Sequence, residues 1–241
     1  MIVYVNGDSH SAGAEVANPY CFAEDDPLYW GLGRRPHPDN ERASYGCLLA
    51  NHLFAVLHCD AESASSNDRI IRTTREYLNN MDKPDIVIIG WATWEREEWL
   101  HDGKYYQVTA SGSDTVPPEL ETRYKKWVIE QSASDVINQR TIDAHATIYN
   151  FHKELEGQEV KHIFFSTFHS FANIKNLQHL GIEELDWGSS YIKPYDDSMT
   201  YYNFLTGCGY PTATPTSYHL GAQGHEAWAN YLLPLVQNKI G

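Results

Sequence analysis

The chain has 241 residues, with 32 acidic side chains against 18 basic ones and a formal net charge of −14. That length buries one large α/β core, so a single domain over residues 1–241 is expected. The acidic excess excludes a nucleic-acid surface of clustered Lys and Arg, and no run of ~18 unbroken apolar residues is available to span a membrane.

The N-terminus opens in a strand-like run rather than a basic region with an apolar stretch and a cleavage site, so a cytoplasmic protein is expected. Cys21, Cys47, Cys59 and Cys208 are scattered and make no CxxC, which fits thiols rather than disulfides or zinc ligands. The twelve histidines show no HExxH or similar ligand spacing, so no metal is expected.

In chain order, residues 2–5 are the first strand, apolar enough for burial on both faces. They run into a Gly7-Asp8-Ser9 corner. Residues 11–42 form a long connection with four prolines and several aromatics. Residues 43–53 predict a helix and residues 54–58 a second strand. A small-residue stretch, Ser63 to Asn67, leads into a helix with Ile70, Ile71, Thr74, Leu78 and Met81 on one stripe. Ser66 or Asn67 is its N-cap candidate.

Residues 85–90 are the clearest strand, a hydrophobic run without alternation, as a central parallel strand requires. Residues 91–118 read as another long connection, in which Glu95, Glu97 and Glu98 form a solvated charge run and Arg96 is a candidate loop anchor. Helix follows from about Pro117 to Leu155, with a break near Ser132 and Ser134, and then a strand over 160–167. Residues 168–218 are irregular. The last helix starts near Gly221 with Trp228, Tyr231, Leu232, Leu235 and Val236 on its core stripe, and Pro234 is expected to kink or shorten it.

Alternating strands and helices predict an α/β fold with a parallel sheet covered on both faces. Ligands in such sheets bind beyond the carboxyl ends of strands, and all three long loops follow strands, so they crowd that edge. There a serine hydroxyl at Ser9 and an imidazole at His219 can meet. Serine is a poor nucleophile until a base takes its proton, and histidine is the usual base near neutral pH.

Asn6-Gly7-Asp8-Ser9 resembles the first sequence block of the SGNH (GDSL-type) hydrolases, and Ser217-Tyr218-His219-Leu220-Gly221 resembles the block that carries their catalytic histidine. Ala64 to Ile70 is similar to the second block, and Gly90-Trp91-Ala92-Thr93 stands where the Gly-x-Asn-Asp block falls. The resemblance implies a flavodoxin-like three-layer α/β/α sandwich and an ester hydrolase needing no cofactor. By it, Ser9 is the nucleophile and its N–H an oxyanion donor, His219 is the general base, and a second backbone donor falls on Ala64 or Ser65.

Two departures follow. The oxyanion asparagine falls on Ala92, where losing one such donor costs on the order of 10²–10³ in rate; Thr93 and Asn67 are the substitutes at hand. The acid that orients the histidine falls on Ser217 or Thr216, neither a carboxylate, which points to a Ser–His dyad. Asp8 is expected to brace its turn.

Trp91, Trp94 and His10 are candidate substrate contacts, although His10 and His225 equally fit local hydrogen bonding. The strand-end tryptophans (Trp30, Trp91, Trp94, Trp99, Trp187) form either a platform for sugar rings or acyl chains, or the packing of long loops. The expected activity is hydrolysis of a small-molecule or glycan ester, with deacetylation of a carbohydrate as one form. The alternative is a catalytically degenerate binding or structural protein, such as a phage virion or surface component, meeting protein partners through its aromatic loops.

Overall fold

The computed structural model describes residues 1–110, 116–131, 133 and 136–241. Its strands are β1 (Ile2–Gly7), β2 (Val56–Cys59), β3 (Ile86–Trp91), β4 (Glu97–His101), β5 (Lys104–Val108) and β6 (His162–Ser166). The helices are α1 (Ser9–Ala12), α2 (Pro38–Ala43), α3 (Tyr45–His52), α4 (Asn67–Asn80), α5 (Glu121–Gln131), α6 (Val136–Gly157), α7 (Tyr201–Gly207) and α8 (Ala222–Ile240).

A parallel sheet runs in the order β2-β1-β3-β6. Successive side chains of a strand point to opposite faces, and here both faces are apolar. Tyr4, Val87, Ile89 and Phe164 meet Ile70, Ile148, Phe151 and Leu155 of α4 and α6. Val3, Val5, Ile88 and Phe165 face the other way, onto Tyr45 and Leu49 of α3, Tyr201 of α7, and Trp228 and Leu232 of α8. The result is a three-layer α/β/α sandwich.

Several expectations change in detail. The helix expected over 43–53 is α3, and a separate helix, α2, precedes it inside the expected connection; Ser44 between them is extended and its Oγ accepts from Cys47 N to start α3. β2 is an edge strand and only partly buried. Pro234 sits inside α8 without ending it, while the helix break expected near Ser132 and Ser134 falls on residues outside those described. All four cysteines are free thiols.

The largest change is in the connection after β3. It contains an antiparallel hairpin, β4 paired with β5 across Asp102-Gly103, whose φ values of 48° and 75° fit a two-residue primed turn. The supposed solvated charge run is its first strand. Glu98 is 5% exposed in its side chain and grips Arg72 with both oxygens, at 2.7 and 2.8 Å. Glu97 accepts from Arg140 and from the indoles of Trp99 and Trp127. A small core of Trp99, Val108, Tyr124 and Trp127 joins this hairpin to α5. Among the described residues, no helix is long and apolar enough to cross a membrane.

Candidate active site

β1 ends at Gly7, opposite Gly90 of β3. A Cβ on Gly7 would lie 2.2 Å from Ser11 Oγ, and one on Gly90 would lie 2.6 Å from the same atom. These two glycines leave a hollow for Ser11, which accepts from Tyr45 OH at 2.8 Å. α1 can therefore press onto the sheet end. Asp8 caps it, its Oδ1 accepting from His10 N at 3.1 Å, and Gly13 closes it in the left-handed region at φ 71°. Ser9 is the first residue of that turn. Asp8 Oδ2 is paired with Arg96 Nη1 at 3.2 Å, and the same nitrogen donates to Ser65 O at 3.3 Å, so Arg96 ties its loop to two others.

His219 arrives from the far end of the chain. An isolated bridge between Thr212 and Leu220 shapes its loop, and Ala213 N donates to His219 O at 2.8 Å. Its Nδ1 lies 2.6 Å from Glu15 Oε2, and Ser217 Oγ donates to that same carboxylate oxygen while accepting from His219 N at 2.9 Å. A carboxylate only accepts, so Nδ1 carries the proton and Nε2 is left as a base. Burial raises the Glu15 pKa, but hydrogen bonds from Ser217 and His219 outweigh it and hold the carboxyl below its usual range.

The group in contact with His219 Nδ1 is thus a carboxylate, Glu15, rather than Ser217 or Thr216. Ser217 braces Glu15; Thr216 lies beside it with its hydroxyl 3.4 Å from that of Thr214. Glu15 carried no local signal in the sequence. It stands in an irregular stretch at φ 63°, unusual for a residue with a side chain.

Ser9, His10, Glu15, Thr93, Thr216, Ser217 and His219 line one open cavity of about 520 Å³ with Glu95, Arg96, Phe168, His169 and Tyr218. Ser9 and His219 make no direct hydrogen bond to each other; such contacts often tighten only with substrate bound. Asn67 is elsewhere. Its amide is committed to Ala92, donating to Ala92 O at 3.2 Å and accepting from Ala92 N at 3.0 Å, and it lines a neighbouring cavity of about 610 Å³. The N-cap of α4 is Ser66.

Ala64 holds a left-handed φ of 65°, and Ser65 N is spent on Glu62 O at 3.1 Å; neither lines the cavity of Ser9.

Two substrate-contact expectations are corrected. Trp91 is fully buried between Phe151 and Phe164. Trp94 stacks on Phe171 at 4.9 Å, donates to Thr141 Oγ1 at 3.1 Å and faces the neighbouring cavity. Trp99 and Trp187 are buried too, so loop packing accounts for these tryptophans; Trp30, at 73% exposure, is the exception.

His10 does line the site, edge-on to His219 at 5.1 Å. Burial, against the pull of Asp8, lowers its pKa to about 4, and its Nδ1 has no hydrogen-bond partner. His225 is structural: its Nδ1 accepts from Tyr45 N at 3.1 Å, and burial lowers its pKa to about 3. Among the described residues, no cluster of three or more His, Cys, Asp or Glu side chains could hold a metal ion.

No family model and no curated protein matches the chain. Solved structures do. One is an acetyl xylan esterase from the rumen bacterium Butyrivibrio proteoclasticus, 15% identical with a TM-score of 0.45, covering 100% of this chain and 64% of its own. Another is a carbohydrate esterase family 2 enzyme with a carbohydrate-binding domain from Corynascus thermopiles (Myceliophthora fergusii), 13% identical with a TM-score of 0.48, covering 100% and 66%. A third, described as a lipolytic protein of the G-D-S-L family from Desulfitobacterium hafniense, is 13% identical with a TM-score of 0.38, covering 97% and 98%. This chain therefore spans 64–66% of the length of the two esterases. Likeness at this level leaves the activity to be read from the site itself.

Proposed function

We propose that the protein, as one domain over residues 1–241, is a serine ester hydrolase. Ser9 is the nucleophile, His219 the general base and then acid, and Glu15 the group that fixes the imidazole. The observation that carries this is the 2.6 Å contact between Glu15 and His219 Nδ1 beside the cavity shared with Ser9. It favours the tautomer with its proton on Nδ1 and its lone pair on Nε2, as proton abstraction from a serine requires.

The substrate class is an acetyl or other short acyl ester of a carbohydrate or similar polyol. Thr93, Glu95 and His169 offer polar walls for hydroxyl groups, and Tyr218, 70% exposed at the rim, offers a ring face.

Treatment with a fluorophosphonate and mass-spectrometric location of the adduct tests this. Labelling is expected at Ser9, absent in Ser9→Ala and at least ~100-fold slower in His219→Ala. A Ser9 that stays unlabelled in the unmodified protein, with no turnover of p-nitrophenyl acetate, sinks the hydrolase and favours the degenerate binding protein.

A further inference from the structure

Attack by Ser9 on an ester carbonyl puts negative charge on the carbonyl oxygen, and the site must meet that charge with fixed donors. The side chains that sequence reasoning puts forward do little. Asn67 is committed to Ala92, and Ala92 ends in a methyl group. Thr93 brings a single neutral hydroxyl to the cavity.

Arg96 is the only Arg or Lys among the described residues lining the cavity of Ser9. Its guanidinium is held in place by the fold, because Nη1 donates both to the buried Asp8 carboxylate and to Ser65 O. Asp8 immediately precedes the nucleophile, so the cation is tied to the turn that presents Ser9. A guanidinium has five N–H groups, of which Nη1 carries two. The three on Nε and Nη2 make no hydrogen bond to any described residue.

We infer that Arg96 is a catalytic residue of the proposed hydrolase, its unpaired N–H groups donating to the oxyanion; this rests on the reading of Ser9 as nucleophile. In the acylation step Ser9 Oγ bonds to the ester carbon while its proton passes to His219 Nε2. The carbonyl π pair moves onto oxygen, where Arg96 meets it. Collapse restores the carbonyl and expels the alcohol, which takes the proton from His219. Water repeats the sequence on the acyl-serine, releasing the carboxylic acid and free Ser9. Asp8 acts as a positioning residue in this scheme. Held beforehand, the guanidinium needs no rearrangement when charge develops.

The alternative is that Arg96 is only a clip for Asp8, and a double-mutant cycle separates the two. Steady-state kinetics on p-nitrophenyl acetate are measured for Arg96→Ala, Arg96→Lys, Asp8→Asn and Asp8→Asn/Arg96→Ala, with circular dichroism and Ser9 labelling on each. The expected loss in kcat for Arg96→Ala is about 10²–10³-fold, with KM changed less than ~threefold. Millimolar guanidinium is expected to restore part of it. A further, smaller loss remains when Arg96→Ala is added to Asp8→Asn, because Ser65 O still holds the guanidinium.

A pure clip gives the opposite pattern: Asp8→Asn costs as much as Arg96→Ala, and the double variant costs no more than either. That result, or unchanged kcat in Arg96→Ala, overturns the inference while Ser9 labelling in the unmodified protein upholds the hydrolase. Absence of that labelling brings down both. If Arg96→Ala fails to fold, Arg96→Lys decides, since it keeps a cation for Asp8 but not the planar fork; undiminished kcat there overturns the role.

Discussion

Glu15 and His219 are 204 positions apart, and one carboxylate oxygen receives both the imidazole and the Ser217 hydroxyl. Glu15→Gln keeps the shape and loses the charge that favours the Nδ1–H tautomer. A kcat loss of about 10²–10⁴-fold is expected, by the serine-protease template. Ser217→Ala removes both the brace on the carboxylate and the acceptor for His219 N, and should cost about tenfold. Placing an acid two residues before the histidine, as Ser217→Asp in the Glu15→Gln background, should recover part of the loss. Full activity of Glu15→Gln would show that Glu15 does not orient His219. That Ser9 and His219 share a cavity was legible because each stands at a local punctuation, a strand end and a helix start. Glu15 was not, since its position depends on how an irregular segment folds back over α1. The tryptophans stayed open between platform and packing for a related reason: type alone does not tell a ring that faces a ligand from one that fills the space under a loop.

The turn formed by β1 and α1 depends on Gly7 and Gly90 facing each other over Ser11. Gly90→Ala puts a methyl 2.6 Å from Ser11 Oγ and 2.8 Å from Phe165 Cζ, so something must move. A stability loss of about 1–3 kcal/mol is expected in urea unfolding, as for other overpacked sites. The hairpin makes a second case. Arg72→Ala strands the buried Glu98 carboxylate, at a cost on the order of 2–3 kcal/mol, below the full figure for a buried pair because Arg72 is a quarter exposed. An unchanged unfolding midpoint in either variant would contradict the packing described. β1, β3 and β6 were legible as apolar runs, and α4 and α8 as stripes. β4 and β5 were missed although Asp102-Gly103 between alternating residues is a strong hairpin signal; the run of glutamates in β4 masked it by looking like a solvated surface.

Across the whole molecule, burial keeps several imidazoles neutral: the pKa falls from 6.5 to about 4 for His10, His145 and His162, and to about 3 for His225. Above pH 6.5 these groups are neutral in both states and add no pH dependence. As pH falls below 6.5 the unfolded chain takes up protons that the folded one refuses, so stability drops until the folded values near 4 are reached. Each group contributes up to about 1.4 kcal/mol per pH unit over that window. Glu15 acts lower: its depressed pKa lends stability above the ordinary value of 4.5 that disappears as pH falls further. Urea midpoints should be flat from pH 8 to 7 and fall steeply between 6.5 and 4. A flat profile down to pH 5 would mean that these histidines are not buried as described.

The bridge from position 15 to position 219 also has a meaning in time. A ribosome makes Ser9 and Glu15 early and the His219 imidazole only after some two hundred further couplings. On the proposed reading, a nascent chain short of that point holds the Ser9 hydroxyl without its general base. On that reading, turnover begins only once the segment around His219 has been made and has docked, so a fluorogenic ester would report chains that extend past it rather than shorter fragments.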